Sequence, residues 1–291
     1  MTLANLSALA AVALWASLAS LGLALAHVPP FFLTGLALMI GGALALPAAV
    51  MQPACWKLPL PALALGVCTL FGFHFLLFIA LRLAPSVEVN LVNYLWPLFI
   101  VVAAPLYLRG LHWRGHHLVA ALLGFAGAAL AIVGAAGGVA GSSAVVAGGS
   151  IWAGYAMALA SALIWANYSL QTKRLALAGR GFQTAAIGLF GLVSGALSLL
   201  CHWALEPAVT LSGRDMWLLL ATGLGPLGAA FYLWDRALKL GDPRHIGLLS
   251  YFTPLASTAL LLVVTGRGLS WSVALAAGLI VSAALLGLRK G

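Results

Sequence analysis

Charged residues are scarce in this sequence, and their scarcity excludes a water-soluble globular protein. The 291 residues include 14 Lys and Arg and 5 Asp and Glu, so charged residues make up only 7% of the chain. A soluble domain carries roughly 25% charged residues to hydrate its surface. Hydrophobic residues make up 64%, and the mean hydropathy is +1.11. Most of the protein surface must therefore face lipid.

Potential catalytic groups and metal ligands are also few. The three cysteines are widely separated, so they form neither a disulfide framework nor a metal-binding spacing. The sequence has no paired carboxylates, no Ser/His/Asp arrangement and no phosphate-binding loop. We therefore predict no catalytic residue, no cofactor and no metal site. The alternative is a membrane enzyme or sensor, which would need a catalytic loop or soluble domain. The longest loop, 137–150, contains only Gly, Ser, Ala and Val.

What the sequence has in abundance is long apolar runs, each of about 20 residues, the length needed to cross a bilayer as a helix. The runs are continuous and lack period-2 alternation, so they indicate helices rather than barrel strands. The first run lacks Lys and Arg at its start and is too long for a signal peptide, so we interpret it as a span. The ten predicted spans are Leu3–Ala26, Phe31–Val50, Leu58–Leu81, Ser86–Leu108, His117–Ala136, Trp152–Gln171, Gln183–Trp203, Met216–Trp234, His245–Thr265 and Trp271–Leu288.

The basic residues predict the orientation of these spans. Eleven of the 14 Lys and Arg residues fall on the side of the N-terminus, and only Arg82, Arg214 and Arg267 fall on the other. The positive-inside rule then places both termini in the cytoplasm, here of a bacterial inner membrane. The net charge of +9 is distributed over the loops, so it indicates no nucleic acid partner. We predict a monomer whose partners are the lipid bilayer and a small-molecule substrate.

Two halves of the chain repeat each other. The segment Asn93–Leu98 aligns with Ser250–Leu255 at an offset of 157 positions, and Arg109–Trp113 resembles Arg267–Trp271 at an offset of 158. Such ordered matches indicate duplication. Five spans per repeat is an odd number, so the second half enters the membrane inverted, as in many transporters. The predicted fold is an all-α polytopic membrane protein of ten helices in two inverted five-helix repeats: residues 1–140 and 151–291, joined by a loop at 141–150.

These features resemble the EamA family of the drug/metabolite transporter superfamily. The resemblance covers essentially the whole chain and includes Trp15 in the first span, Asn93–Pro97 in the fourth, and its echo in the ninth. Within the superfamily, the chain is most similar to the aromatic amino acid exporters of bacterial inner membranes. The resemblance implies export of aromatic or large neutral amino acids by alternating access through a central cavity. Alternatives with the same fold are exporters of other small metabolites or of cationic drugs.

A polar stripe follows one face of the fourth and ninth spans. Asn93, Tyr94 and Pro97 keep the i, i+1, i+4 spacing that recurs in Ser250, Tyr251 and Pro254, and spacings of three and four residues share a helical face. Polar side chains in such a stripe avoid lipid, either by lining a cavity or by bonding neighbouring helices. Pro97 and Pro254 each remove a backbone donor within a span, so we expect a kink or hinge at both.

Aromatic residues and one histidine complete the predicted substrate site. His74 is the only ionisable side chain well inside the third span, and it either binds a substrate head group or bonds a neighbouring helix. Aromatic side chains near mid-span can stack on an aromatic substrate, or simply pack. The predicted substrate-binding residues are Trp15, His74, Phe78, Asn93, Tyr94, Trp96, Trp165, Tyr168, Ser250 and Tyr251.

Other residues are assigned to the membrane interface or to helix packing. We expect Trp113, Trp203, Trp234 and Trp271, at span ends, to form the interfacial aromatic belt. Asp235 is interpreted as an interfacial partner of Arg236. No carboxylate is predicted at mid-membrane, which favours facilitated export, or weak proton coupling through His74. The pair Gly191 and Gly195 predicts close approach of another helix to the seventh span.

Overall fold

A computed structural model describes residues 2–136, 150–265 and 271–287. Most of the predicted connecting loop 141–150, and the Arg267 end of one repeat match, lie outside these residues. Within them every regular element is helical, and the structure has no β-strand there. The helices are α1 (Leu3–Ala16), α2 (Leu18–Ala24), α3 (Pro30–Ala43), α4 (Leu46–Met51), α5 (Leu60–Val67), α6 (Phe73–Leu83), α7 (Ser86–Asn93), α8 (Trp96–Tyr107), α9 (Gly115–Ala136), α10 (Ile151–Leu177), α11 (Ala186–Leu205), α12 (Gly213–Leu224), α13 (Ala230–Leu240), α14 (Pro243–Leu249), α15 (Phe252–Thr265) and α16 (Trp271–Gly287).

The helices are apolar and long enough to make this a polytopic membrane protein. Among the described residues, six continuous helical stretches each have the length and hydropathy needed to cross a bilayer, and two shorter apolar helices accompany them. The predicted all-α membrane class is therefore confirmed. The six stretches are Leu3–Ala24, Leu60–Leu83, Ser86–Tyr107, Gly115–Val133, Ala186–Leu205 and Gly213–Leu240.

Several of these stretches are locally irregular. Helix α7 ends and α8 begins just before Pro97, and α14 ends and α15 begins just before Pro254. Proline explains this position, because it offers no N–H to the carbonyl one turn earlier. Two π-helical turns, Cys68–Gly72 and Gly225–Ala229, join α5 to α6 and α12 to α13. Gly225 follows Cys68 by 157 positions, which is the offset of the sequence repeat.

Small residues allow two helices to pack closely near one side of the bundle. Helices α3 and α11 pack along most of their length. A Cβ atom on Gly42 would lie 2.7 Å from the carbonyl oxygen of Gly188, and one on Gly195 would lie 2.7 Å from the carbonyl oxygen of Gly35. Gly191 faces Leu38 and Gly42 in the same way. The close approach predicted from Gly191 and Gly195 is confirmed, and α3 is the helix that they contact.

The centre of the bundle is built from helices of both halves. Helix α1 packs against α13 and α15, and α10 packs against α6, α7 and α8. Helix α14 packs against α8, and α16 against α9. The largest buried cluster lies where α1, α8, α10 and α13 meet, and it contains most of the predicted aromatic site.

Candidate functional site

Four tryptophans from four helices form the core of the candidate site. Trp15 lies on α1, Trp96 on α8, Trp165 on α10 and Trp234 on α13. The ring centroids of Trp15 and Trp234 are 5.2 Å apart, those of Trp15 and Trp165 5.7 Å, and those of Trp96 and Trp234 5.5 Å. These separations are typical of aromatic contacts. All four side chains are buried, so the indoles form a closely packed core where α1, α8, α10 and α13 meet.

Hydrogen bonds fix two of these indoles. The Nε1–H of Trp15 donates to the carbonyl oxygen of Pro226, at 3.1 Å. That carbonyl belongs to the π-helical turn between α12 and α13. The Nε1–H of Trp234 donates to Ser169 Oγ at 3.3 Å, and the Ser169 hydroxyl donates to the Trp165 carbonyl at 2.9 Å. A buried Trp needs such a partner for its N–H. The orientations of the Trp15 and Trp234 rings are therefore fixed by hydrogen bonds as well as by packing.

A half-buried aromatic wall lies beside the tryptophan core. Phe73 packs on Trp165, and the His74 ring lies 6.0 Å from the ring of Phe78 and 6.4 Å from that of Phe231. The Nδ1 atom of His74 lies 2.6 Å from the Leu70 carbonyl oxygen. Because a carbonyl only accepts, Nδ1 must donate, and in the neutral ring Nε2 remains an acceptor. Phe73, His74 and Phe78 are only half-buried, unlike the four indoles.

The predicted polar stripe divides into two different environments. Asn93 Nδ2 donates to Ser161 Oγ at 2.7 Å, and Ser161 Oγ donates to the Ala158 carbonyl at 2.8 Å. Asn93 is therefore held between α7 and α10, whereas its neighbour Tyr94 is half-buried. Tyr168, from the same predicted set, packs on Trp165 with a centroid distance of 6.0 Å. The structure thus places Asn93 at the contact between α7 and α10, and Tyr168 in the same buried cluster as Trp15, Trp96 and Trp165.

Ser250 and Tyr251 are not brought to the tryptophan core. Tyr251 is fully buried in a separate cluster with Val101 and Ile280. Its ring fills the space left by Gly124, where a Cβ atom would overlap the ring. The Ser250 hydroxyl donates to the carbonyl of Gly247 in its own helix. In this conformation both residues serve packing, although the sequence repeat pairs Tyr251 with Tyr94.

The belt prediction for Trp234 is wrong. Trp234 is fully buried, whereas Trp113, Trp203 and Trp271 are 66%, 85% and 83% exposed, as expected of belt residues. Helix α13 continues to Leu240, so Trp234 lies well over one turn inside the helix. Phe231 and Trp234 share a face with Leu238, a spacing of three and four residues that the sequence contains. This periodicity predicts Trp234 in the core.

The pairing predicted for Asp235 is also wrong. Its side chain is fully buried, and its Oδ2 accepts from Thr184 Oγ1 and from Lys239 Nζ, both at 2.7 Å. Lys239 Nζ also donates to the Phe182 carbonyl at 2.7 Å. Arg236 is exposed instead, because adjacent residues of an α-helix point in directions about 100° apart. Asp235 therefore joins the end of α13 to the segment that leads into α11.

A second ionic group, absent from the predictions, lies at the opposite end of the bundle. The Glu206 carboxylate is 1% exposed and accepts from the backbone N–H groups of Phe31 and Phe32, at 3.0 and 3.2 Å. Arg82 Nη2 and His202 Nδ1 lie 3.1 and 3.0 Å from its oxygens. A carboxylate at the first turn of a helix interacts favourably with its dipole. Glu206 thus joins α3, α6 and α11.

Comparison with protein families identifies the chain. The model of the EamA-like transporter family matches residues 2–133 and 152–289. The chain belongs to the EamA-like transporter family. As a member of that family it is a multi-pass inner-membrane transporter, and the resemblance inferred from its sequence is confirmed.

Individual EamA-like relatives match over most of the chain. An aromatic amino acid exporter YddG of Ancylobacter novellus is 39% identical over 284 residues, which cover 97% of this chain and 95% of that protein. The aromatic amino acid exporter YddG of Escherichia coli is 28% identical over 64% of this chain and 61% of its own length. A crystal structure with 38% sequence identity superposes with a TM-score of 0.86 and covers 98% of this chain and 97% of the other.

Proposed function

We propose that this EamA-like protein exports aromatic or large neutral amino acids by alternating access through a passage between its two halves. The observation that carries the proposal is the core of four indoles, contributed by two helices from each half, beside a half-buried wall with His74. Stacking and T-shaped contacts suit an aromatic guest. Two relatives named as aromatic amino acid exporters support the same substrate class.

The architecture under this proposal is ten spans in two inverted repeats, residues 1–140 and 151–291, with the loop 141–150 between them and both termini cytoplasmic. In the proposed repeat, α1 is equivalent to α10, and α13 is equivalent to α6. The contact of α1 with α13 in one arrangement therefore corresponds to a contact of α10 with α6 in the other, and both contacts are present. The π-helical turns recur at the repeat offset. The family model also matches two separate stretches, one in each half. Inverted repeats of this kind place the substrate site at their interface.

Within the site, different groups would contact different parts of the substrate. The aromatic side chain would lie against Phe78 and Trp165, with Trp15 and Trp96 closing one end. His74 Nε2, the acceptor left free by the bond to Leu70, would accept from the substrate ammonium. The Tyr94 hydroxyl would donate to the carboxylate. Because a site that bonds a polar head group rejects ligands lacking it, these contacts would select amino acids over plain hydrocarbons.

Opening and closing would use the two ionic groups at opposite ends of the bundle. The ion pair of Asp235 and Lys239 would close the end of the bundle at which α13 terminates, and the ion pair of Glu206 and Arg82 would close the opposite end. Alternating access requires one set of contacts to break while the other persists. The interruptions at Pro97 and Pro254 lie between these ends, so we assign them as hinges.

A cationic drug is the second candidate substrate. The observation in its favour is the grouping of four indole rings, each of which has its centroid within 6.4 Å of at least two others, because ring faces attract cations. An aromatic cage would favour a permanent cation, whereas the His74 acceptor favours an ammonium that can donate hydrogen bonds.

The test is counterflow of labelled substrates in proteoliposomes. We expect phenylalanine and tryptophan to exchange, and lysine, glutamate and a quaternary ammonium compound to exchange poorly. Trp165→Ala should lower aromatic exchange at least about tenfold, since contacts worth ~1.5 kcal/mol are lost, while Trp203→Ala, at an exposed position, serves as the matched control. Preferred exchange of the quaternary ammonium would replace the proposal by the second candidate, and equal rates in both variants would remove the indole core from the pathway.

A further inference from the structure

A cavity distant from the tryptophan core opens between the end of α8, the start of α9 and the start of α14. Its volume is about 220 Å³. The three helix ends lie at one end of the bundle, so the cavity lies at the level of the membrane interface. It is lined by apolar side chains of α8 and α9, including Val102 and Leu118, and by Arg114, His117 and Arg244.

The apolar walls face the bilayer. Val102 and Leu118 are 40% and 46% exposed, and they continue along the bundle surface into Leu106 and Leu122, which are 71% and 50% exposed. In a membrane protein such a surface contacts acyl chains. Trp113 lies beside it, with its Nε1–H donating to the Val102 carbonyl at 2.9 Å, as expected of a side chain at the headgroup level.

The polar end of the cavity is basic and contains a buried group without a partner. His117 is 6% exposed, and its Nδ1 has no hydrogen-bond partner. The His117 ring stacks with His116 and lies 5.9 Å from that of His245. Arg114 is exposed at the rim. His117 Nδ1 can therefore form a hydrogen bond with a ligand in the cavity.

The remaining charge at the cavity is partly balanced. Arg244 bonds to Asp242, with Nη2 2.6 Å from Oδ2 and Nε 3.1 Å from both carboxylate oxygens. Burial alone would raise the pKa of Asp242, but the hydrogen bonds and charge of Arg244 lower it overall, so the carboxylate stays ionised. Arg114 and Arg244 carry two positive charges at the cavity against the one negative charge of Asp242, and together with the N-terminus of α9 these groups attract an anion.

We propose that this cavity binds the phosphate group of an anionic phospholipid, with an acyl chain lying along Val102 and Leu118. The phosphate would accept from Arg114 and from His117 Nδ1, and Arg244 would add charge from α14. Basic pockets between transmembrane helices bind such headgroups. A soluble phosphate would leave the apolar walls unused, which is why a lipid is the occupant that fits both ends. Since α8 and α14 belong to different halves, the lipid would bridge them.

The test uses the full chain purified in neutral detergent and native mass spectrometry. The protein is titrated separately with phosphatidylglycerol, phosphatidylcholine and inorganic phosphate. We expect phosphatidylglycerol to bind at least about fivefold more tightly than phosphatidylcholine, and Arg114→Gln to weaken it about fivefold, as for loss of one basic residue at a membrane surface. Arg174→Gln, at an exposed arginine of α10, is the matched control and should bind like the unmodified protein.

A second variant fills the cavity without removing charge. A Cβ atom on Gly115 would meet nothing within 4 Å, so Gly115→Leu should fold and block the headgroup. Equal binding of the two lipids, or equal losses in the Arg114 and Arg174 variants, would overturn the proposal. Retention of phosphatidylglycerol by Gly115→Leu would do the same. Binding of inorganic phosphate that depends on Arg114, without binding of phosphatidylglycerol, would instead assign the cavity to a soluble anion.

Discussion

Trp15 and Pro226 are far apart in sequence but are joined by a hydrogen bond of 3.1 Å from the indole N–H to the Pro226 carbonyl oxygen. The bond connects the first helix to the π-helical turn of the opposite half. Trp15→Phe keeps an aromatic ring but leaves that carbonyl without its donor, at a cost of about 1 kcal/mol. We expect the midpoint of thermal unfolding in detergent to fall by about 2–4 °C. Trp271→Phe, at an exposed position, should leave it unchanged, and equal midpoints would show that the bond contributes nothing.

Asp235 provides a second prediction, about stability. Asp235→Leu leaves the Lys239 ammonium without its carboxylate in a half-buried position, and breaking a buried pair this way costs roughly 3–5 kcal/mol. We expect a large loss of folded protein after heating, measured by size-exclusion chromatography. Replacing both partners, Asp235→Leu with Lys239→Met, should recover much of the loss, since no uncompensated charge remains. A double variant as unstable as the single one would contradict the pairing.

The contact between α3 and α11 predicts intolerance to a single methyl group. Gly42→Ala would place a Cβ atom 2.7 Å from the Gly188 carbonyl oxygen, and overpacking of this kind costs typically about 1–3 kcal/mol. Gly22→Ala is the control, because a Cβ atom there meets nothing within 4 Å. We expect thermal stability to fall only in the Gly42 variant. Comparable stability of the two variants would contradict this prediction and show that α3 and α11 can move apart enough to accommodate the methyl group.

Variants of Asn93 can distinguish the two roles that the sequence leaves open for it, which are helix packing and substrate contact. If its bond to Ser161 only joins helices, a double-mutant cycle of Asn93→Ala and Ser161→Ala should give a coupling of about 0.6 kcal/mol in stability and little change in substrate preference. If Asn93 also contacts substrate, its variant should lower phenylalanine counterflow more than Ser161→Ala does. We expect the second outcome. Equal transport by the two single variants would assign Asn93 to packing.

Helix positions were predictable because the bilayer fixes the length of an apolar run. The tryptophans at mid-span, Trp15, Trp96 and Trp165, could be predicted for a similar reason, since the belt lies at span ends. Trp234 was misplaced because the end of its helix was set too early. Counting four residues on from Asp235 reaches Lys239, so the spacing that makes their ion pair possible was present in the sequence.

Other contacts could not be predicted from local patterns. Tyr94 and Tyr251 occupy matching positions in the repeat, yet one is half-buried and the other is sealed against Gly124. Their surroundings are set by different neighbours, which the repeat does not encode. Glu206 illustrates the same point, because its partners Phe31, Phe32 and Arg82 are more than a hundred residues away in sequence.

The π-helical turn Cys68–Gly72 has a geometric consequence for everything that follows it. A π-turn accommodates one more residue than an α-turn, and each residue of an α-helix advances the azimuth by about 100°. Deleting one residue from Cys68–Gly72 would therefore rotate α6 by about that angle and move the imidazole of His74 away from the ring of Phe231 on α13. The direction of the His74 side chain therefore depends on the one additional residue in the π-helical turn that precedes α6.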